Sequence, residues 1–363
     1  MEDAGTSRAE ARPTAVDMTS IAVNARFYAH RPTGMQRYAL ELAQRFADWI
    51  EPVRPDRALR GAAGHAWEQL RLPTLVRGRL LWSPNNTGPL AVERQVCTIH
   101  DLIPLDRPEW FNQRFAAWYE WLLPRLAQKV RHIITVSEFS KQRIVERLRV
   151  EPEKVSVILN GVDERFRPQT EQTIQEVREA LGIPKGAYFL YVGSLEPRKN
   201  LTRLLEAWAQ VQPAVDAEIT LVVAGARGSA RVFRKAPLSK VPRRVHRTGY
   251  VPEEQLPGLY AGALALLYPS LYEGFGLPPL EAMACGIPVV TSSTTSLPEV
   301  TGDAAILVDP ESVESIAAGI HRVLSSEALR QELRARGLAR AREVTWERTA
   351  TETIQVLREQ AEG

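Results

Sequence analysis

The most informative stretch of this 363-residue sequence is Ser270-Leu-Tyr-Glu-Gly-Phe-Gly-Leu-Pro-Pro-Leu-Glu-Ala-Met-Ala-Cys-Gly-Ile-Pro-Val-Val290. It follows an apolar run that ends near Tyr268 and is typical of a buried strand. A helix is predicted to begin near Leu277, because the two prolines that follow are tolerated in a first turn, where amides need no intrahelical partner. Gly286 ends that helix and Pro288 opens the next strand. The stretch therefore predicts a strand–loop–helix–strand unit of a parallel sheet.

The loop of this stretch predicts a site for an anion that also carries hydroxyl groups. Gly274 and Gly276 let backbone amides approach a ligand closely, and the N-terminus of the following helix carries partial positive charge. The carboxylates of Glu273 and Glu281 would repel a phosphate, but they accept hydrogen bonds from hydroxyls such as those of a sugar or a ribose. The alternative is a capped helix on which Glu281 is merely solvated.

This stretch resembles the donor-binding signature of glycosyltransferase family 4, in which two glutamates stand eight positions apart on a GT-B fold. The resemblance implies that Glu273 contacts the hydroxyls of the transferred sugar and that Glu281 holds those of the ribose. It also implies that the loop meets the sugar or the diphosphate through Gly274, Phe275, Gly276 and Leu277. The resemblance extends over residues 21–360.

A second stretch, Tyr191-Val-Gly-Ser-Leu-Glu-Pro-Arg-Lys-Asn-Leu201, follows the first predicted strand of the second half. Arg198 and Lys199 lie where a loop passes into a helix, and two cations there would clamp a diphosphate and stabilise it as it departs. Asn200 is predicted to cap that helix. The resemblance assigns Lys199 to the diphosphate; many relatives carry an arginine at the position of Ser194, whose charge Arg198 is expected to supply. The alternative is that both cations are solvated.

Three segments of the first half resemble further parts of the family's site. Gly34, before a predicted helix, resembles the glycine that lets the chain pass close to the donor phosphate and the acceptor. His100 lies at a strand end where relatives carry a histidine beside the transferred sugar, and Asp101 would orient it or bind the acceptor. Asn160-Gly-Val-Asp163 resembles the family's cleft-floor turn, with a hinge and positioning role. On the residues alone, Gly34 indicates a plain turn, and His100 is as often structural as functional.

Short apolar runs alternate with amphipathic segments along the whole chain, which is typical of βα units and a parallel sheet. The strands predicted in the first half are Ser20–Val23, Leu80–Trp82, Gln95–Ile99, His132–Val136 and Val155–Ile158. The strands predicted in the second half are Tyr188–Val192, Glu218–Ala224, Val245–Arg247, Leu264–Tyr268, Val289–Thr291 and Ala305–Val308. The clearest predicted helices are Met35–Ala47, Glu138–Arg147, Leu201–Gln210 and Trp346–Gln360.

The predicted fold class is α/β, and the resemblance makes it GT-B: two Rossmann-like, doubly wound domains that face a cleft. We expect a disordered tail over residues 1–18 and an acceptor-side domain over residues 19–170. A donor-binding domain is expected over residues 171–345, followed by a helix over residues 346–363 that packs back toward the first domain. The polar stretch Arg165–Val177 is predicted to be the linker.

Composition and cysteine usage bound the class of protein. Apolar residues make up 44% of the chain and charged residues 25%, which suits a globular protein. The longest apolar stretch, Tyr260–Tyr268, is too short to cross a bilayer, and the polar N-terminus does not resemble a secretory signal. Cys97 and Cys285 are predicted to be buried thiols of a reducing compartment rather than a disulfide or metal pair. We therefore expect a cytoplasmic protein.

Positive charge is concentrated in the first half, where residues 25–149 carry 20 Lys and Arg against 12 Asp and Glu. The excess favours an anionic partner, such as a membrane surface or a phosphorylated acceptor, or it reflects ordinary solvation. Within Trp110–Arg125, the face predicted to pack on the sheet carries Phe111, Phe115, Trp118 and Leu122. The aromatic residues left to touch a membrane peripherally are Trp110, Tyr119 and Trp121. Without interleaved stacking motifs, a nucleic-acid partner is not expected.

Together these features predict a glycosyltransferase that moves a sugar from a nucleotide diphosphate donor to a glycan or lipid-linked glycan. The candidate catalytic residues are His100, Lys199 and Glu273. The sequence has neither an Asp-x-Asp pair nor a His, Cys or Glu cluster with metal spacing, so no metal or cofactor is expected. The resemblance implies retention of configuration, and its similarity to bacterial surface-polysaccharide mannosyltransferases suggests GDP-mannose as donor. The alternatives are a UDP- or dTDP-sugar donor, a nucleotide-sugar epimerase and a non-catalytic sugar-nucleotide-binding protein.

Overall fold

A computed structural model describes residues 21–29, 34–59, 61–214, 216, 218–226, 232 and 241–362. The predicted tail, residues 1–18, lies outside these residues. The strands are β1 Ile21–Asn24, β2 Ile50–Val53, β3 Leu80–Ser83, β4 Gln95–Thr98, β5 His132–Thr135, β6 Val155–Val157, β7 Tyr188–Val192, β8 Thr220–Ala224, β9 Val245–Gly249, β10 Ala265–Tyr268, β11 Val289–Ser292 and β12 Ile306–Val308.

Helices cover both faces of the strands. They are α1 Gly34–Arg45, α2 Gly61–Leu70, α3 Leu72–Val76, α4 Ile103–Asp106, α5 Gln113–Lys129, α6 Glu138–Leu148, α7 Glu171–Ala180, α8 Leu201–Val211, α9 Leu256–Ala261, α10 Leu277–Ala284, α11 Leu297–Thr301, α12 Val313–Ser325, α13 Glu327–Glu343 and α14 Trp346–Glu362.

The strands form two parallel sheets, one in each half of the chain. The first has the order β2-β1-β3-β4-β5-β6 and the second the order β12-β11-β10-β7-β8-β9. Every strand pair runs parallel, as in Leu266 beside Leu190 in the second sheet. Half of these strands are buried along their whole length because helices cover both sheet faces. The predicted fold, two Rossmann-like α/β domains, is confirmed.

One strand was not predicted from the sequence. Strand β2 pairs with β1 at the edge of the first sheet, with Pro52 opposite Val23. An edge strand tolerates proline because one side of it needs no ladder hydrogen bond, and Glu51 and Pro52 are both exposed. The strand therefore lacks the continuous apolar pattern by which the buried strands were recognised.

The predicted linker, Arg165–Val177, is wrong in its second half. Helix α7 begins at Glu171, and the Thr170 hydroxyl accepts a hydrogen bond from the Thr173 amide as its N-cap. Val177 is buried in the core of the second domain. The polar residues that suggested a linker form the exposed face of an amphipathic helix.

The last helix returns to the first domain. Trp346, Ala350 and Leu357 of α14 lie in one apolar cluster with Val23 and Leu80 of the first sheet. The chain thus crosses between the domains twice, once after β6 and once before α14. The cysteines are buried and unpaired, as expected.

Candidate active site

The site forms where the carboxyl ends of neighbouring strands of the second sheet meet. Strands β7 and β10 are adjacent, so the loops that follow them lie side by side. The backbone carbonyl of Arg198, after β7, accepts hydrogen bonds from the Leu271 amide at 2.7 Å and the Ser270 hydroxyl at 2.9 Å, both after β10. These bonds fix the cationic loop against the loop that carries Glu273.

The carboxylate of Glu273 is buried and accepts hydrogen bonds from four side chains. The donors are Ser270 Oγ at 2.6 Å, Lys199 Nζ at 2.7 Å, Tyr268 Oη at 2.8 Å and Arg198 Nη1 at 2.8 Å. Burial alone would raise the pKa of Glu273, but Arg198 and Lys199 together lower it to about 2. Glu273 is therefore ionised at neutral pH.

Lys199 and Arg198, the two predicted cations, each have more N–H donors than the hydrogen bonds they make to the described residues. Lys199 Nζ contacts Glu273 and the Tyr268 hydroxyl, which are two partners for the three donors of an ammonium. Burial and the neighbouring Arg198 lower the pKa of Lys199, while Glu273 opposes the shift. The Arg198 guanidinium lies between Glu196, at 2.9 Å, and Glu273, and so brings a second charge to the same place.

Asn200 does not cap α8 as predicted. Its backbone is left-handed, with φ 57°, and its side chain makes no capping hydrogen bond. The Asn200 amide instead donates to the carbonyl oxygens of Pro269, at 2.9 Å, and Pro310, at 2.7 Å. Both hydrogen bonds are buried, and buried carbonyl groups need a donor, so the side chain serves these two distant groups instead of the local cap.

The glycines of the loop allow the two domains to touch. A Cβ on Gly274 would lie 2.4 Å from the carbonyl oxygen of His100, and the Ser137 hydroxyl donates to the Gly274 carbonyl at 2.7 Å. Gly276 precedes α10 with φ 117°, a conformation that favours glycine. Leu277 begins the helix and lies 3.6 Å from the Cβ position of Gly34 in the first domain. The Phe275 side chain is buried in the core of the second domain.

Glu281, predicted to bind ribose, is buried within α10. Its Oε1 accepts a hydrogen bond from Arg37 Nη1 at 2.5 Å, and its Oε2 accepts one from the Tyr260 hydroxyl at 2.8 Å. Arg37 belongs to α1 of the first domain, so this ion pair joins the two domains.

His100 is buried at the end of β4 and held on two sides. Its backbone amide donates to Asn86 Oδ1 at 2.6 Å, and its Nε2 lies 2.9 Å from the Pro84 carbonyl oxygen. Since a carbonyl only accepts, Nε2 carries the proton. Burial lowers the pKa of His100 to about 4, although the hydrogen bond to the Pro84 carbonyl acts in the opposite direction. The ring is therefore neutral at pH 7.

Asp101 follows His100 and faces the charges of the second domain. Its Oδ1 accepts a hydrogen bond from the Ile103 amide at 3.1 Å. Burial raises its pKa to about 6, opposed mainly by Arg198. The structure thus brings Gly34, His100 and Asp101 of the first half to the loops of the second half.

Two matched family models and a curated relative identify the chain. The model described as "Glycosyl transferases group 1" matches residues 173–340, and the model described as "Glycosyltransferase Family 4" matches residues 89–166. The O-antigen chain mannosyltransferase B of Escherichia coli is 36% identical over 273 residues, which are 75% of this chain and 72% of that protein. The chain belongs to glycosyltransferase family 4.

Two further comparisons agree with this assignment. The O-antigen chain mannosyltransferase RfbU of Salmonella typhimurium is 30% identical over 249 residues, 68% of this chain and 65% of that protein. The crystal structure of Anabaena Alr3699/HepE in complex with UDP and glucose superposes with a TM-score of 0.73 at 17% identity, covering 94% of this chain and 100% of that one. At that identity the likeness shows the fold, which is GT-B.

The Asn160–Asp163 turn of this glycosyltransferase packs on the start of α14. A Cβ on Gly161 would lie 2.1 Å from the Trp346 amide nitrogen. Val162 pairs with Thr345 in an isolated parallel bridge, and its amide donates to the Val344 carbonyl at 3.1 Å. Only a glycine permits this close crossing, which explains its presence at position 161.

The aromatic segment of the glycosyltransferase is mostly core. Phe111 and Leu122 are buried as predicted, but Tyr119, predicted to be free for a membrane, is only 9% exposed and belongs to the core of the first domain. Tyr119 was assigned to the free face because it lies off the face of Phe111, Phe115, Trp118 and Leu122. Helix α5, however, is packed against other elements on more than one side. Trp121 remains 43% exposed, and the Arg125 guanidinium lies 5.0 Å from its ring centre.

Two features of the described part of the chain relate to the predictions on metals and membranes. No cluster of three or more His, Cys, Asp or Glu side chains suited to a metal ion is found there. Among the same residues, no helix is both long and apolar enough to cross a bilayer.

Several residues of the site of this glycosyltransferase were missed from the sequence. Tyr268 and Ser270 were noted only as the end of a strand and the start of a loop, although both donate to Glu273. Tyr260 and Arg37, which hold Glu281, lie in other elements. A polar residue within an apolar strand, as Tyr268 is in β10, was the one available signal.

Proposed function

We propose that this glycosyltransferase moves mannose from GDP-mannose to a hydroxyl of a glycan or lipid-linked glycan, with retention of configuration and without a metal ion. The observation that carries the proposal is the buried cluster of Glu273, Lys199 and Arg198 beside the N-terminus of α10. A fixed carboxylate next to two cations and free backbone amides suits a ligand that combines hydroxyls with a diphosphate.

The hydrogen bonds already made within the cluster indicate which of its atoms remain to bind each part of the sugar donor. Three hydrogen bonds converge on Oε1 of Glu273 and one on Oε2. A carboxylate accepts about four, so any room for a sugar hydroxyl lies on Oε2. The unused donors of Lys199 and Arg198, with the amides of Phe275, Gly276 and Leu277, would bind the diphosphate. Glu281 would bind the ribose.

The proposed reaction is a front-face displacement. The acceptor oxygen forms a bond to the anomeric carbon while the bond from that carbon to the diphosphate oxygen breaks. The acceptor's proton passes to the leaving diphosphate. Negative charge grows on the diphosphate as it departs, and Lys199, Arg198 and the dipole of α10 would stabilise it. Neutral His100 would contact the transferred sugar through its ring edge, and Asp101 would orient the acceptor.

The sugar and base rest on the relatives. Both curated relatives described above are named mannosyltransferases, which favours mannose. The HepE structure holds UDP and glucose, so a UDP-sugar, or a dTDP-sugar, is the main alternative. A nucleotide-sugar epimerase or a non-catalytic binding protein of the same fold is disfavoured by the family assignment. We also propose that the first domain, residues 19–170, takes the acceptor and the second, residues 171–345, the donor.

A binding panel tests the proposal. GDP and GDP-mannose should raise the melting temperature of the wild-type protein more than UDP, UDP-glucose or dTDP, since ligands that bind only the folded state stabilise it. Glu281→Ala should weaken GDP binding by about 1.5–3 kcal/mol, the usual worth of hydrogen bonds to a charged group. Glu332→Ala, on the surface of α13, is the matched control. Unchanged GDP affinity in Glu281→Ala would remove Glu281 from the donor site.

We further propose a cytoplasmic protein whose basic first domain meets an anionic membrane at exposed Trp121 and Arg125. Cosedimentation with vesicles containing phosphatidylglycerol should then fall as salt rises, because surface charges are screened over about 10 Å at 0.1 M salt. Arg125→Ala should weaken it further, whereas Arg348→Ala, in the exposed part of α14, should not. Vesicle binding that does not depend on salt, or no binding at all, would mean that the arginines of the first domain only interact with solvent.

A further inference from the structure

Arg37 is the side chain through which the first domain reaches the carboxylate of Glu281. It lies one turn into α1, after Gly34, and its side chain is 15% exposed. Its Nη1 is 2.5 Å from Glu281 Oε1, and its Nη2 is 3.0 Å from Glu253 Oε1. Both glutamates belong to the second domain. One guanidinium therefore bridges the domains with two ion pairs.

The pair compensates a charge that would otherwise disfavour the donor. Glu281 is 5% exposed and lies in the short helix whose N-terminus is proposed to receive the diphosphate. A buried, uncompensated carboxylate there would repel the phosphates. Glu273 has its compensating cations, Arg198 and Lys199, within its own domain. For Glu281 the compensating cation comes from the opposite domain.

The hydrogen bonds of Glu281 leave room for a diol. Arg37 takes one lone pair of Oε1 and Tyr260 takes one of Oε2. Since a carboxylate accepts about four hydrogen bonds, each oxygen keeps one acceptor position. Two positions on adjacent oxygens match the two neighbouring hydroxyls of a ribose. Held from both sides, the carboxylate loses little freedom when the diol binds.

The ion pairs continue into the connection between the domains. Arg165 lies 2.6 Å from Asp163 and 3.4 Å from Glu253, so Glu253 is shared by Arg165 and Arg37. The Arg37 guanidinium also lies 6.0 Å from the ring centre of Phe166. Arg37 thus contacts both Glu281 of helix α10 and Phe166 of the connection between the domains.

We propose that Arg37 is a positioning residue for the ribose of the donor. It holds the Glu281 carboxylate in the orientation in which both of its oxygens accept hydrogen bonds from the ribose hydroxyls. Because it belongs to the first domain, it makes nucleotide affinity depend on the contact between the domains. This inference rests on the proposed role of Glu281 as the ribose ligand.

The test compares ligands with and without the diol. GDP and 2′,3′-dideoxy-GDP are titrated by calorimetry into wild type, Arg37→Ala, Arg37→Lys and Arg45→Ala, a control on the same helix whose partners are Glu41 and Glu347. The wild type should bind GDP at least about tenfold more tightly than the dideoxy ligand. Arg37→Ala should lose about tenfold in GDP affinity and nearly all of that discrimination. Arg37→Lys should recover part of both, and Arg45→Ala should match the wild type.

Kinetics and melting separate positioning from a structural role. Arg37→Ala should raise the KM for the sugar donor while leaving kcat within a few-fold. Its melting temperature should fall below that of Arg45→Ala, because Glu281 stays buried without its cation, but the variant should remain folded at the assay temperature. The inference is overturned if Arg37→Ala weakens GDP and the dideoxy ligand equally, if it tightens GDP binding, or if kcat falls at unchanged KM. A wild type that does not distinguish the two ligands defeats instead the ribose assignment of Glu281, and the inference with it.

Discussion

Lys199→Ala is expected to lower turnover by about 10²–10³-fold, the usual cost of removing one preorganised charge from a transition state. Lys199 is buried and its ammonium is held against Glu273 and Tyr268. It therefore needs no reorganisation as charge grows on the departing diphosphate. An interaction that strengthens as the bond breaks lowers the barrier, whereas one of constant strength changes only affinity. Affinity for the intact donor should consequently change much less than turnover.

Single-turnover rates at saturating donor measure this effect apart from binding. Tyr268→Phe is the matched variant: it removes a neutral partner of Lys199 but keeps the charge, so its turnover should fall far less. Adding Mg²⁺ should not restore Lys199→Ala, and chelator should leave the wild type unchanged, because the proposed mechanism needs no ion. Near-normal turnover in Lys199→Ala, or a wild type that chelator stops, would contradict the metal-free mechanism.

The parts of the fold that the sequence predicted are those that local pattern dictates. Strands β7 and β10 are covered on both faces, so their residues form short unbroken apolar runs bounded by Gly and Pro. The edge strand β2 has no such constraint, and helix α7 has a single buried residue at Val177. The positions of β2 and α7 depend on packing against residues elsewhere in the chain. The periodicity of apolar residues within a local stretch does not reveal such contacts.

The same distinction holds in the site. Glu273 and Lys199 were predicted as site residues because each follows a strand and because their stretches resemble the family's donor-binding signature; the structure brings them together because β7 and β10 are adjacent. Arg37 was missed as a partner of Glu281, since the two are 244 residues apart and nothing local signals the pair. Asn200 shows the reverse error: a good local cap was predicted, but two distant carbonyl groups took its side chain.

Glu273→Gln is expected to lower the free energy of unfolding by about 3–5 kcal/mol, as removal of one partner from a buried ion pair does. The amide would leave Lys199 buried without a counter-charge and Arg198 with Glu196 alone, and its NH₂ group would face the donors of Ser270 and Tyr268. Urea unfolding at pH 7 measures the loss. Glu332→Gln is the matched control: its carboxylate pairs with Arg336 at the surface of α13, where a salt bridge contributes about 0–1 kcal/mol.

The difference between wild type and Glu273→Gln should also shrink in acid. The pKa of Glu273 is lowered from 4.5 to about 2 in the folded protein, so the unfolded chain takes up a proton first as pH falls. The stabilisation from ionised Glu273 is therefore complete above pH 4.5 and is lost progressively as pH falls toward 2. The unfolding free energy of the wild type should decline more steeply between pH 5 and pH 3 than that of the glutamine variant. Parallel pH profiles would show that Glu273 is not held by its two cations in solution, and the diphosphate site built on that cluster would lose its basis.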